Sequence, residues 1–515
     1  MKSYRKEKLE RNISAGLQLL LVALLLTLHV GLIVLLNFAM KENTGLIYLL
    51  LQLAGLGFAL WIYNGYRPAA YKTVWILLVL SAPVVGLVLF SLWGDHGKGD
   101  RELKNLPPPA ETQSSKAKSR QALDKLQQEH PRWSNVSSYL LGKGFPLYRN
   151  TRVEYFSVGE RMLQDMLLEI EEAKRFILME YFIMADGELM DRLLSRLYER
   201  AEHGVEVKII YDDFGSMLKL SKETVEEMRS HGIQVSVFHP VLNYVNHLYL
   251  NYRDHRKICC IDGQIAYTGG VNLADEYANI IDRFGHWKDT GLRLDGAGAW
   301  GLTRQFIHMW EMLGGQMQEE HDYYRPLEGR EQAGCCQPFT DGPLYRPDTP
   351  AEDVYLQLIG RAEHSLYITT PYLCPDEMLV KALCVAAAGG VDVRLMLPEK
   401  PDHYFTYVAG ETYYGELMRH GVQIYTYTPG FLHAKSIVAD REAAVVGTVN
   451  MDYRSFQLHY ECGVFLCGSP AVEQLCSDLD EVLENSSRVT EESWAKRSRL
   501  RRFLGYCCKV FAPWM

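Results

Sequence analysis

Histidine and lysine stand two residues apart at His255 and Lys257, and again at His433 and Lys435. Each pair is followed by an aspartate (Asp262, Asp440) and, seventeen residues after the histidine, by an asparagine (Asn272, Asn450). Side chains two apart on an extended strand share a face, so each histidine is presented beside its lysine. A lysine ammonium and an asparagine amide suit a phosphate oxygen, and a histidine at neutral pH can be nucleophile or proton shuttle. Two such faces meeting would supply one imidazole to attack phosphorus and another to protonate the leaving alkoxide, without a metal or other cofactor. One copy alone is read most simply as a surface histidine at a chance spacing; two matched copies favour chemistry.

The elements that must carry these faces also come twice. The runs behind the lysines read as buried strands, and Asp262-Gly263 and Asp440-Arg441 fall where hairpins should turn, the second without the preferred glycine. Upstream, Phe176 to Phe182 reads as a strand, Glu188 to Ala201 as an amphipathic helix and Val205 to Tyr211 as the next strand, a βαβ unit with parallel pairing. Leu366 to Tyr372, Glu377 to Ala388 and Gly390 to Met396 repeat it, and His231-Gly-Ile-Gln-Val235 matches His420-Gly-Val-Gln-Ile424. The expected architecture is a duplicated α/β domain whose two motif faces meet at a pseudo-twofold interface.

The doubled pattern His-x-Lys-x4-Asp-x6-Gly-(Gly/Ser/Thr)-x-Asn resembles the signature of the phospholipase D superfamily, and the layout of nearly the whole chain resembles its bacterial cardiolipin synthases. The resemblance implies an α/β fold of duplicated phospholipase D-like domains, mixed sheets sandwiched by helices, preceded by an α-helical transmembrane region. It implies a catalytic set of His255, Lys257, Asp262, His433, Lys435 and Asp440, although the turn positions of Asp262 and Asp440 suit them better to holding the local loops. Asn272, Asn450 and Thr448 are the expected phosphate ligands; Gly270 stands where Thr448 stands in the second copy, so the first half is expected to use backbone N–H or water there. Each histidine needs a carboxylate to orient it, and Asp289 and Glu461 are expected to serve His255 and His433 respectively.

The activity implied is transfer of a phosphatidyl group between two phosphatidylglycerol molecules through a phosphohistidine, provisionally on His255, with His433 as acid and then base. The motif itself leaves other acceptors open: water would make a phospholipase and another alcohol a different phosphatidyltransferase. An inactive scaffold that binds anionic lipid is the reading from another class. A net charge of −9 argues against a general nucleic-acid binder, so attraction to an anionic partner must be local.

A chain of 515 residues requires more than one core. The expected division is a membrane anchor over 1–95, a linker or partly helical neck over 96–135, two phospholipase D-like domains over 136–335 and 336–485, and a tail over 486–515. The apolar runs Leu17 to Phe38, Leu46 to Tyr63 and Val74 to Trp93 suggest two or three spans, with Pro83 and Gly86 interrupting the third. The expected location is the bacterial cell membrane. Lys2, Arg5, Lys6, Lys8 and Arg11 place the N-terminus in the cytoplasm. Eleven cysteines without zinc-site spacing, and Lys98, Arg101 and Lys104 after the third run, lean toward a cytoplasmic active site with one segment re-entrant.

Two aromatic stretches precede the motifs: Phe238, Tyr244, Tyr249 and Tyr252, then Tyr404, Tyr407, Tyr413 and Tyr414. They suit an acyl-chain groove or the membrane interface, with core packing as the alternative. In the tail, Lys496, Arg497, Arg499, Arg501 and Arg502 precede an aromatic stretch ending at Trp514, a pattern that suits an anionic lipid surface, with a disordered basic tail as the alternative.

Overall fold

The computed structural model describes residues 44–65, 69–94, 113–240, 252–317, 323–324, 330, 332–345 and 348–512. Two compact units are present: residues 1–99 with 242–249, and the remainder. The first apolar run, its basic flank, Lys98, Arg101, Lys104, Tyr244, Tyr249 and Trp514 lie outside the described residues.

In the first unit the second apolar run forms one helix, Thr44–Asn64. The third run departs from the single span expected of it and makes two helices, Ala69–Ser81 and Pro83–Trp93, of 13 and 11 residues. Ala82 leaves helical geometry, and Pro83, which has no N–H to donate, starts the second helix. The two helices then pack so closely that a Cβ on Gly86 would lie 2.6 Å from the Val79 Cα. Among the described residues, no helix is long and apolar enough to cross a membrane.

The second unit contains the repeat. In its first half Phe176–Tyr181, Glu206–Asp212 and Gln234–Phe238 run parallel in sequence, and Lys257–Ile261 joins antiparallel at the edge of Phe176–Tyr181. Ser365–Thr369, Asp392–Pro398, Gln423–Tyr427 and Ser436–Ala439 reproduce that arrangement in the second half. The sheets are therefore mixed and duplicated. Parallel strands buried on both faces read as the continuous apolar runs seen here. Strands from the two halves share one core, in which Ile258, Cys260 and Leu292 cluster with Ala444, Val446 and Val464. This apolar seam holds the two motif-bearing edges together.

The linker expected over 96–135 is helical from Gln113 onward: Gln113–Glu129 and Pro131–Gly142 are helices. Leu126, Trp133, Val136 and Leu140 are buried against Phe339 and Leu358 of the second half. Nor is the tail a loose segment. Ser486–Arg488 pairs with Gln423–Tyr427, and helix Arg499–Val510 follows.

Both motif turns form. Asp262 and Gly263 adopt φ of 54° and 69°, and Asp440 and Arg441 adopt 52° and 57°, the left-handed pair that a tight hairpin requires. Arg441 takes up that conformation despite its Cβ.

Candidate active site

Each histidine is anchored by the opposite half. Arg253–Asp254 pairs with His459–Tyr460, and the His255 N–H continues the ladder to the Tyr460 carbonyl at 2.9 Å. Gly430–Leu432 likewise pairs with His286–Lys288, and the His433 N–H donates to the Lys288 carbonyl at 2.8 Å. The next residues along the receiving strands are Glu461 and Asp289. This register places Glu461 at His255, with Nδ1 2.9 and 3.0 Å from its two oxygens, and Asp289 at His433, at 2.6 Å. The pairing is the reverse of the one expected: each carboxylate serves the histidine of the other motif. Its cause is the strand exchange, a tertiary contact between segments more than a hundred residues apart.

Both histidines, both lysines and both carboxylates are more than nine-tenths buried. Lys257 Nζ donates to its own histidine's carbonyl at 2.6 Å. Lys435 Nζ donates to the His433 carbonyl and lies 2.8 Å from His433 Nδ1. Burial, and then repulsion by Lys257, Lys435 and His433, hold the His255 pKa well below the ordinary imidazole value. Burial and Lys435 bring His433 down to about 4 against the opposing pull of Asp289. Burial also lowers Lys257 to about 8 and Lys435 to about 7. These nitrogens form a crowded positive site, and an anionic phosphodiester would relieve the crowding.

Both asparagines are buried. Asn272 Oδ1 accepts the Ile183 N–H at 3.1 Å, leaving its amide N–H groups to donate. Asn450 Oδ1 is buried with no hydrogen bond among the described residues. The Thr448 hydroxyl is committed elsewhere than expected. It donates to Glu461 at 2.5 Å and is 3.1 Å from the Cys462 carbonyl, so it supports the His255 carboxylate instead of a phosphate. The matching place in the first half is filled by Asp289, since a Cβ on Gly270 would lie 2.0 Å from Asp289 Oδ1.

Asp262 and Asp440, placed with the catalytic set from the motif, sit at the far ends of their strands. Asp262 accepts the N–H groups of Lys174, Arg175 and Phe176 at 2.8 to 3.0 Å. Asp440 accepts those of Glu363, His364 and Ser365 at 2.7 to 2.9 Å and pairs with Arg132 at 2.7 Å. They hold backbone, as their turn positions suggest.

Several neighbours escape sequence reasoning. His459 lies with its ring 5.4 Å from that of His255 and its Nδ1 3.6 Å from Glu461 Oε1, while Arg454 Nε donates to its Nε2 at 3.1 Å. His255, His459 and Glu461 bring three potential ligand atoms within 4.8 Å of one another, the described group best able to hold a cation. Phe182 packs edge-on to His255 and Tyr277 edge-on to His433, with centroids 5.0 and 5.3 Å away. The available signal was adjacency of His459 to Glu461; Tyr277 has no counterpart at the same offset from Asn450. Of the aromatics expected to line a groove, Phe238, Tyr252, Tyr413 and Tyr414 are buried in packing, and Tyr404 is exposed.

Two mixed sheets closing on paired histidines and lysines define a phospholipase D-like protein. The family described as "Cardiolipin synthase, PLD-like domain" matches residues 166–281 and 355–483. The chain is 33% identical over 474 residues to the major cardiolipin synthase ClsA of Bacillus subtilis, covering 88% of this chain and 95% of that protein. It is 32% identical over 468 residues to a cardiolipin synthase of Listeria welshimeri (88% and 96%). It is 36% identical over 462 residues to an uncharacterized protein of Streptococcus mutans (89% and 99%). Among solved structures, phosphatidylserine synthase of Haemophilus influenzae superposes with a TM-score of 0.56 at 13% identity, over 70% of this chain and 95% of that one, which is a likeness of fold. The chain belongs to the cardiolipin synthase family of phospholipase D-like proteins.

Proposed function

We propose that this chain is a phosphatidyltransferase that moves a phosphatidyl group from one phosphatidylglycerol to the free hydroxyl of a second, giving cardiolipin and glycerol. The observation that carries this reading is the crossed pair of histidine–carboxylate contacts. A carboxylate at Nδ1 fixes each tautomer and leaves Nε2 for the substrate.

In the first step the Nε2 lone pair of His255 attacks phosphorus, the bond from phosphorus to the glycerol oxygen breaks, and His433 gives its proton to that oxygen. In the second, His433 takes the proton of the acceptor hydroxyl, the oxygen attacks phosphorus, and the P–N bond breaks to restore His255. Lys257, Lys435, Asn272 and Asn450 bind the nonbridging oxygens as charge redistributes. Two features support this division of labour. Burial, and then Lys257, Lys435 and His433, hold His255 well below the ordinary imidazole value, whereas at His433, which burial and Lys435 lower to about 4, Asp289 pulls toward the protonated form. An incoming phosphate anion opposes the lysine charge, so protonation of His433 is coupled to substrate binding.

The proposed substrate and the apolar N-terminal runs support a location at the bacterial cell membrane. Its eleven free thiols support a cytoplasmic side for the catalytic halves. The test is product analysis of the purified chain with isotopically labelled phosphatidylglycerol in vesicles. Labelled cardiolipin and glycerol are expected from the wild type and neither from His255→Asn or His433→Asn. Phosphatidic acid as the main product would make the protein a phospholipase, and full activity in either variant would remove the shared-site mechanism.

A further inference from the structure

Helix Arg499–Val510 carries four cations, Arg499, Arg501, Arg502 and Lys509, and no acid, in a chain whose net charge is −9. One of its faces is already occupied. Gly505 and Cys508 are buried, a Cβ on Gly505 would lie 2.6 Å from the Val408 carbonyl, Arg501 is paired with Glu411 at 2.8 and 3.0 Å, and Lys509 lies 4.0 Å from the Tyr413 ring centroid. The opposite face is apolar and open. Leu500 is 76% and Phe503 67% exposed, and Cys507, Val510 and Phe511 continue the stripe at helical spacing. Around the helix, Arg499 and Arg502 fall along one flank of that stripe.

The same kind of surface reaches the mouth of the site. Asp402 accepts a hydrogen bond from Tyr372 at 2.6 Å and acts electrostatically on His433 and Lys435. Two residues on, at the start of the helix against which Arg499–Val510 packs, Tyr404 and Phe405 are 48% and 60% exposed. The first half has the counterpart. Asp212 accepts the Asp254 N–H, one residue before His255, and next to it Phe214, Met217 and Leu218 are exposed, with Arg253 stacked 5.4 Å from the Phe214 ring. Both rims follow the C-terminal ends of matching parallel strands, where open α/β sheets place their ligands.

We infer that helix Arg499–Val510, with the rims at Tyr404–Phe405 and Phe214–Leu218, is a docking surface for an anionic phospholipid bilayer that sets the mouth of the site against the headgroup layer. Charge complementarity and continuity with the site choose lipid as the occupant: an apolar stripe flanked by cations enters the interface while the cations meet anionic headgroups. The inference rests on the phosphatidyl substrate proposed above, and it gives the chain an interfacial contact separate from the N-terminal runs.

Cys507 is the one exposed thiol of the eleven, so a polarity-sensitive fluorophore can be placed on the stripe of the full chain in nanodiscs. A blue shift is expected in discs containing phosphatidylglycerol, and a smaller one in pure phosphatidylcholine. Arg499→Gln and Arg502→Gln should each lower the docked fraction roughly fivefold. Leu500→Glu with Phe503→Glu should abolish the shift and slow turnover of bilayer substrate, while leaving turnover of a monomeric short-chain phosphatidylglycerol unchanged. A fluorophore that stays in water in every bilayer overturns the inference. So does a shift that appears without lipid and grows with protein concentration, which would make a second copy the occupant. If the wild type made no cardiolipin, the fluorescence would still score the surface, so the two readings fail separately.

Discussion

The two halves of the active site share a plan and differ in how each carboxylate is supported. At His433, Asp289 is short and approaches Nδ1 to 2.6 Å, with the Thr290 N–H at 2.9 Å as a further donor. At His255, Glu461 is longer and its charge is divided among His255, the Thr448 hydroxyl and the nearby His459. A carboxylate that is shared gives less stabilisation to a positive imidazole, and His255, beyond its burial, also faces the basic groups Lys257, Lys435, His433 and Arg454. The difference teaches that duplication supplied two equivalent histidines whose carboxylates are supported unequally, which on the roles proposed above favours the proton on His433.

The strongest way to break this comparison is to remove the need for an acid. With phosphatidylglycerol, His255→Asn and His433→Asn should each lose at least about 10⁴-fold in turnover, as expected for members of a unit that acts together. With a p-nitrophenyl phosphodiester, whose leaving group needs no proton, His433→Asn should still release a burst of nitrophenolate and leave the remaining phosphoryl ester on His255. His255→Asn should show no burst. A burst in His255→Asn alone would exchange the two roles.

The carboxylates come next. Glu461→Gln should slow the burst by about 10³- to 10⁴-fold, the scale set by loss of an orienting carboxylate, whereas Asp289→Asn should spare it and slow turnover of phosphatidylglycerol. Equal effects of both variants on the burst would mean that the pairing seen here does not divide the roles.

A smaller effect separates the positions after the motif glycine. Thr448→Val removes one hydrogen bond to the buried Glu461 and should cost about tenfold in kcat, in line with loss of a charge-assisted bond of about 1.5–3 kcal/mol. Gly270→Ser puts a Cβ where Asp289 Oδ1 already is, so here the added hydroxyl should harm rather than help. Activity measured beside thermal unfolding distinguishes a displaced carboxylate from a misfolded chain.

The pH dependence tests the lysines. In the free protein Lys435 titrates at about 7 and Lys257 at about 8, both lowered by burial, so raising the pH through this range removes positive charge from the phosphate site. kcat/KM should therefore fall several-fold between pH 7 and 9, and Lys435→Arg, which keeps its charge, should move the alkaline limb upward. An unchanged limb would assign it to another group.

How much of this was legible follows from what each feature depends on. The repeat, the βαβ units and the motif residues are written in local spacing and apolar runs, and they can be read without a structure; the mixed sheets follow from the family resemblance. The exchange of carboxylates depends on the register of Gly430–Leu432 against His286–Lys288, which no local pattern encodes. Thr448 looked like a phosphate ligand because a hydroxyl beside a phosphate site has two plausible partners, and only Glu461's position chooses between them. The helices from Gln113 look like a polar linker because their apolar faces are sparse; Leu126 and Trp133 become core only once the second half is there to cover them.

The least disruptive comparison lies at the motif turns. Gly263 cannot be exchanged freely, because a Cβ there would lie 2.1 Å from the Tyr323 carbonyl oxygen as well as meeting a positive φ. Arg441 occupies the equivalent left-handed position with a side chain, at a conformational cost of about 1 kcal/mol. Its ion pair with Asp480, between half-exposed groups 3.1 Å apart, returns about 0.5 kcal/mol at most. A glycine at 441 would relieve the backbone but widen the unfolded ensemble by a similar amount. Arg441→Gly should accordingly change stability by less than about 1 kcal/mol and leave turnover untouched. A loss well beyond that in thermal unfolding would mean that Arg441 holds the second motif through contacts other than its turn and its pair with Asp480.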